Sequence, residues 1–158
     1  MAANWGLMKL SIAGLELLKR AEGFRGQIYK DVNGFPTIGY GHRLLHAESF
    51  PGGIGEAQAQ EILVSDVRDA EQAVERLVKV PLTQGQFDAL VDFCFNLGAG
   101  RLASSTLLKA LNGGRYEAAA EQLLRWDVAG GEENAGLKAR REAEFALWSG
   151  KEEQKAAA

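Results

Sequence analysis

The sequence predicts an α+β fold in which a small antiparallel sheet sits among helices, and three observations predict it. Apolar residues recur at helical spacing from Ser11 to Glu22, the following stretch turns to β-branched and aromatic residues around an Asn-Gly pair, and the chain beyond Glu56 returns to a helical period. With 158 residues, 46% of them hydrophobic, the chain can bury one core but rarely two. One domain in two lobes is therefore expected over residues 1–150, with residues 151–158, "KEEQKAAA", as a disordered tail.

Taking the elements in order, Ser11 is placed to cap a helix whose stripe is Ile12, Leu15, Leu18 and Glu22, and Gly23 stands where that helix should end. "GQIYKDVNGFPTIGYG" then reads as a hairpin turning at Asn33-Gly34, and Pro36 argues for an edge position for its second strand. A loop punctuated by Pro51-Gly52-Gly53 leads to a long helix from about Glu56 to Val80, stopped by Pro81. At roughly 1.5 Å per residue it is a rod of more than about 30 Å, long enough to join two lobes. Thr83 and Gln86 form a capping box, with Leu82 and Phe87 as the hydrophobic staple, and open a helix closed by Gly98 and Gly100. Shorter helices should cover about Ser105 to Leu111, Tyr116 to Trp126 and Leu137 to Trp148, with "DVAGGEENAG" between the last two as a loop.

Charge excludes some classes of function. Eighteen basic residues against twenty-one acidic ones give a formal charge of -3 with no basic block, which is not a nucleic-acid footprint. No apolar run is long enough to span a bilayer, and Glu16 with its neighbouring lysines interrupts any signal-peptide pattern, so no export route or stable membrane anchor is expected. Cys94 is the single cysteine; lying in "DFCFNL", it should be a buried small hydrophobe. No heptad seam is present, and a monomer is expected.

The chemistry concentrates between Ala21 and His42. Glu22 sits in the last turn of the first helix on its apolar stripe, an address that suits an acid holding a proton for transfer as well as a plain ion-pair partner. Asp31 before Asn-Gly is favoured by turn chemistry, and Thr37 by strand propensity. Together they admit a second reading, because a hairpin folding at Asn33-Gly34 can bring Asp31 and Thr37 together while the preceding helix delivers Glu22. Two carboxylates facing one gap is the requirement of glycoside hydrolysis. A calcium loop starting at Asp31 fails, since His42 falls where the bidentate Glu should be. No metal or other cofactor is expected: "HRLLH" lacks both the Glu of a zinc protease motif and a third ligand, and His42 should instead bond a carboxylate, with Asp66 the candidate. Ser104, Ser105 and Thr106 lie in no nucleophile elbow.

The same stretch resembles the signature of the phage-type lysozymes, the endolysins of glycoside hydrolase family 24. Glu22, Asp31, Thr37 and "GYGH" fit that pattern without a gap, and the likeness continues through "LTQGQFDALVDFCFNLGAG", Trp126 and "GLKARREAEFALW". The resemblance implies a lysozyme-like fold, with a small N-terminal sheet lobe and a helical C-terminal lobe joined by the long helix, and a cleft between the lobes. It implies an endolysin muramidase that hydrolyses the β-1,4 bond between N-acetylmuramic acid and N-acetylglucosamine in bacterial peptidoglycan, with inversion. Glu22 would protonate the leaving oxygen while Asp31 and Thr37 position the water. Phe95 and Asn96 resemble cleft-lining positions, and Tyr40 could face the substrate from the sheet. Arg141, or failing it Arg140, lies on an apolar helix face and is expected to pair with Glu22. With no apolar anchor, the resemblance implies residence in the host bacterial cytoplasm until a holin-type lesion opens the way to the wall. The rival readings are an inert peptidoglycan-binding protein on the same fold, marked by loss of Glu22 or Asp31, and a lytic transglycosylase.

Overall fold

The computed structural model describes residues 7–150, so the tail expected at 151–158 lies outside the described residues. The chain divides into two compact units, one of residues 18–68 and one of residues 7–17 with 69–150.

The first unit carries the end of helix α1 (Ile12–Glu22), strands β1 (Arg25–Lys30), β2 (Pro36–Gly39) and β3 (His42–Arg43), and helix α2 (Glu56–Asp66). The strands form one antiparallel sheet in the order β1-β2-β3, with Tyr29 opposite Thr37 and Thr37 opposite Arg43. Pro36 therefore lies on the central strand and not at an edge. It is tolerated because it is the first residue of that strand, where its carbonyl still accepts from Leu44 N–H at 3.0 Å and no ladder donor is needed. Gly34, at φ 84°, closes the hairpin with a bond from its N–H to Asp31 O. α2 packs on β2, where Gly39 leaves room for Ala59 and Ile54.

The second unit is helical, with α3 (Arg68–Leu77), α4 (Gln84–Leu97), α5 (Ala99–Ser104), α6 (Thr106–Asn112), α7 (Tyr116–Leu123) and α8 (Ala135–Trp148), and a short hairpin of β4 (Val128–Ala129) and β5 (Glu132–Glu133). Its core is built by Leu90, Val91, Phe93, Leu102, Leu107 and Leu123, all fully buried, and Cys94 is buried with them. α8 packs chiefly on α4, so close at Gly85 that an added Cβ would stand 2.1 Å from Leu147 O. The capping box forms as expected, with Thr83 Oγ1 accepting from Gln86 N–H and Gln86 Oε1 accepting from Thr83 N–H.

Several expected boundaries move. The helix expected from Glu56 to Val80 is two successive helices separated by the turn residue Val67, with Ala59 and Leu63 buried in α2 and Ala70 and Val74 buried in α3. It stops at Leu77 because Asn112 takes over its end, donating to Leu77 O and accepting from Lys79 N–H, and because Pro81 disfavours helical backbone at Val80. α1 begins after Ser11, whose Oγ accepts from Gly14 N–H and donates to Asp88 in a short bond. Its covered face is Gly14, Leu17 and Leu18; Ile12 is 82% exposed because Gly14, and not Ile12, turns toward Asp88, leaving no room for a Cβ. α5 and the β4–β5 hairpin fall in stretches expected to be loops; Gly130 and Gly131, both at positive φ, make the second of these a turn.

Candidate active site

Glu22 is the last residue of α1, and Gly23 ends the helix at φ 73° with its N–H bonded to Lys19 O at 2.9 Å. The Glu22 carboxylate is half-buried and lies against the backbone of Gly41: a Cβ there would stand 2.9 Å from Glu22 Oε2. Gly41 also holds φ 78°, so both its conformation and its neighbour require glycine. The second Gly of "GYGH" is thus the floor under the acid.

Asp31 and Thr37 meet on one residue, Phe35. The Phe35 carbonyl accepts from Asp31 N–H at 2.9 Å and from the Thr37 hydroxyl at 2.9 Å, while Phe35 N–H donates back to Asp31 Oδ1 at 2.9 Å. Asn33 N–H adds a second donor to Oδ1, and Arg43 Nε reaches Oδ2 at 3.1 Å from β3. The Phe35 N–H, then the Asn33 N–H and the Arg43 guanidinium, hold the Asp31 carboxyl below its ordinary value, so it is a firm anion. Thr37 is 2% exposed, and its hydroxyl proton is spent on Phe35 O, which leaves the oxygen free only to accept.

His42, directly after Gly41, bonds Asp66 as expected, Nδ1 to Oδ2 at 2.8 Å. Its other nitrogen meets Glu48 Oε1 at 2.9 Å, a partner that sequence reasoning missed because Glu48 sits in an irregular loop. Burial of the ring works against its charge, but the bonds and charges of Glu48 and Asp66 outweigh it and raise the His42 pKa. Leu45 N–H and then the ring hold Glu48 below its ordinary value. Tyr40 is 5% exposed, with the Phe24 ring at 5.6 Å and Lys19 Nζ over its own ring, which leaves little of it for a ligand to meet.

In the helical unit, Phe95 and Asn96 are both half-buried on the last turn of α4. Arg141, expected to need an acid, is fully buried and pairs with Glu144 at 3.1 Å on its own helix, while its Nη2 donates to Asn96 Oδ1 at 2.6 Å. Arg140 forks onto Asp92, with two bonds of 2.9 Å. Burial, and then the neighbouring Asp92, push the Glu144 carboxyl far above its ordinary value. Glu144 could have been found in the sequence, since it follows Arg141 by one helical turn on the same apolar face. Trp126 packs its ring edge-on against Phe93 at 5.4 Å and is half-buried.

Comparison with known proteins identifies the family. The family model described as phage lysozyme matches residues 19–144. The endolysin of Bacillus phage B103 is 44% identical over 144 residues, covering 89% of this chain and 54% of that protein, so the chain spans about half the length of that relative. The endolysin of Salmonella phage P22 is 41% identical over 138 residues, covering 85% of this chain and 94% of its own. Among solved structures, the muramidase domain of SpmX from Asticaccaulis excentricus superposes with a TM-score of 0.80 at 38% identity, covering 89% of this chain and 97% of that one. With the model spanning most of its length and such relatives beside it, the chain belongs to the phage lysozyme family.

Proposed function

We propose that this lysozyme is an endolysin muramidase that hydrolyses the β-1,4 bond between N-acetylmuramic acid and N-acetylglucosamine in bacterial peptidoglycan, for host cell lysis. The observation that carries the mechanism is that Phe35 holds both groups. Its N–H orients the Asp31 carboxylate and its carbonyl the Thr37 oxygen, and a water that donates one proton to each of these acceptors presents its lone pair for attack. Glu22 gives its proton to the glycosidic oxygen as the bond to the anomeric carbon breaks; the water oxygen bonds that carbon from the opposite face and its proton leaves toward Asp31. Asp31, held ionised, also stabilises the positive charge that builds on the sugar ring.

Tyr40, Phe95 and Asn96 are assigned to sugar contacts. The chain acts as a monomer. Among the described residues no helix is long and apolar enough to cross a membrane, and passage from the host cytoplasm through a holin-type lesion completes the reading.

The test is digestion of purified peptidoglycan with the ends read by mass spectrometry. Reducing muramic ends, abolished in a folded Glu22→Gln variant, are expected. Anhydro-muramic ends would mean a transglycosylase and leave Asp31 without its water, and no cleavage by a folded sample would favour an inert wall-binding protein.

A further inference from the structure

An ionised carboxylate offers about four lone-pair sites, and the hairpin fills three of those on Asp31. Oδ1 accepts from Asn33 N–H and from Phe35 N–H, both at 2.9 Å, and Oδ2 accepts from Arg43 Nε at 3.1 Å. The Asp31 side chain makes no other hydrogen bond among the described residues, so one site stays open, on Oδ2, and at 19% exposure the side chain is within reach of solvent.

The sheet puts Arg43 there. It stands opposite Thr37 in the register of β2 with β3, so its side chain lies on the face that carries Thr37, whereas Lys30, one step from Tyr29 on β1, belongs to the other face. The Arg43 guanidinium lies over the Phe35 ring, 4.4 Å from its centroid, so the residue whose backbone holds Asp31 and Thr37 also braces Arg43. Stability does not account for the pair: the Arg43 side chain is 56% exposed, and an ion pair so open to water adds little to folding.

We infer that Arg43 is a positioning residue for the hydrolytic water: by filling one site on Asp31 Oδ2 it leaves a single acceptor there, and the water that takes it also meets Thr37 Oγ1. This rests on the muramidase reading above. Without Arg43, Oδ2 offers two sites, a water divides its time between them, and the position shared with Thr37 is filled for only part of that time.

The test compares Arg43→Met, which keeps an apolar stem and no donor, with Arg43→Lys, which keeps the charge without the planar fork. Digestion of peptidoglycan is followed across the acid range. Arg43→Met should lower kcat about tenfold with KM and the melting temperature nearly unchanged. Its acid limb should also move to higher pH, because Arg43 is the charged side chain that joins the Phe35 and Asn33 N–H groups in keeping Asp31 ionised. Arg43→Lys should restore the acid limb and not kcat. Full recovery of kcat in Arg43→Lys would make charge and not position the cause and overturn the inference, as would an unchanged kcat in folded Arg43→Met. Should Arg43→Met not fold, a crystal structure of the unsubstituted protein decides: one ordered water on Asp31 Oδ2 that also bonds Thr37 Oγ1 is expected, and two waters on Oδ2, or one out of reach of Thr37, would overturn the inference. If the unsubstituted enzyme yields no muramic ends, the muramidase reading has failed; if it does and Arg43→Met turns over normally, only this inference has.

Discussion

Replacing His42 with Ala removes one ring from between two carboxylates, and the loss can be worked from the contacts. At pH 5.5 the ring makes charge-assisted bonds to Asp66 at 2.8 Å and Glu48 at 2.9 Å. Such bonds contribute about 1.5–3 kcal/mol each; the carboxylates are 27% and 30% exposed, so water replaces part of each bond and the lower end applies, giving about 3 kcal/mol in all. The folded pKa of His42 is raised, so its charge-linked stability is fully present below about pH 6.5 and is lost as pH rises through the folded value. Glu48 has the opposite sign: its folded pKa is lowered, so that contribution stands above about pH 4.5 and is lost as pH falls through the folded value. The window of greatest effect lies between the two. Once pH has risen through the folded value, a neutral ring can donate from one nitrogen only, and the cost of the substitution should fall toward about 1–1.5 kcal/mol. Urea denaturation at pH 5.5 and pH 8, with the unfolding transition followed by two probes, measures both values; the corresponding drops in Tm are about 6–12 °C and 2–6 °C. A cost that is equal at the two pH values, or greater at pH 8, would refute the paired-carboxylate account and leave ring packing as the cause.

Gly41→Ala should push the Glu22 carboxylate from its place and strain a backbone at φ 78°, so kcat for wall digestion should fall at least tenfold while stability drops by only about 1–2 kcal/mol, read by thermal unfolding. Thr37→Val keeps the shape but deletes the acceptor and should lower kcat by about 10–100-fold, whereas Thr37→Ser should retain most activity because its hydroxyl can still donate to Phe35 O. Arg140→Met takes the bidentate partner from a fully buried Asp92 and should destabilise the chain by about 3–5 kcal/mol at pH 7, measured in urea; a loss below about 1 kcal/mol would show that Asp92 does not depend on it.

What could be read in the sequence is what neighbours in the chain decide. The capping box at Thr83, the turn at Gly34, the end of α1 at Gly23 and the order of residues from Glu22 to Thr37 are all set within a few positions, and the structure keeps them. The His42–Asp66 bond was legible for another reason: both residues interrupt apolar surroundings and need a partner. The misses share the opposite cause. Pro36 took the central strand because a third strand, only two residues long, paired beside it. Glu48 reached His42 from a loop without periodicity, and the close approach of Gly41 to Glu22 depends on how the sheet returns under the helix. Within the candidate site, residue types and spacing named Glu22, Asp31 and Thr37, but neither hints that Asp31 and Thr37 would both bond Phe35, or that Asn96 would accept from Arg141 on α8.

Phe35 ties the two groups together from its two sides. Its N–H, in the peptide plane before the residue, holds the Asp31 carboxylate, and its carbonyl, in the plane after it, accepts from the Thr37 hydroxyl and the Asp31 N–H. The spacing of the two acceptors is therefore set by the Phe35 backbone dihedrals that join those planes. Substitutions in the turn should grade the water position according to how far they alter these dihedrals, while the exposed side chains at Val32 and Asn33 remain free to vary.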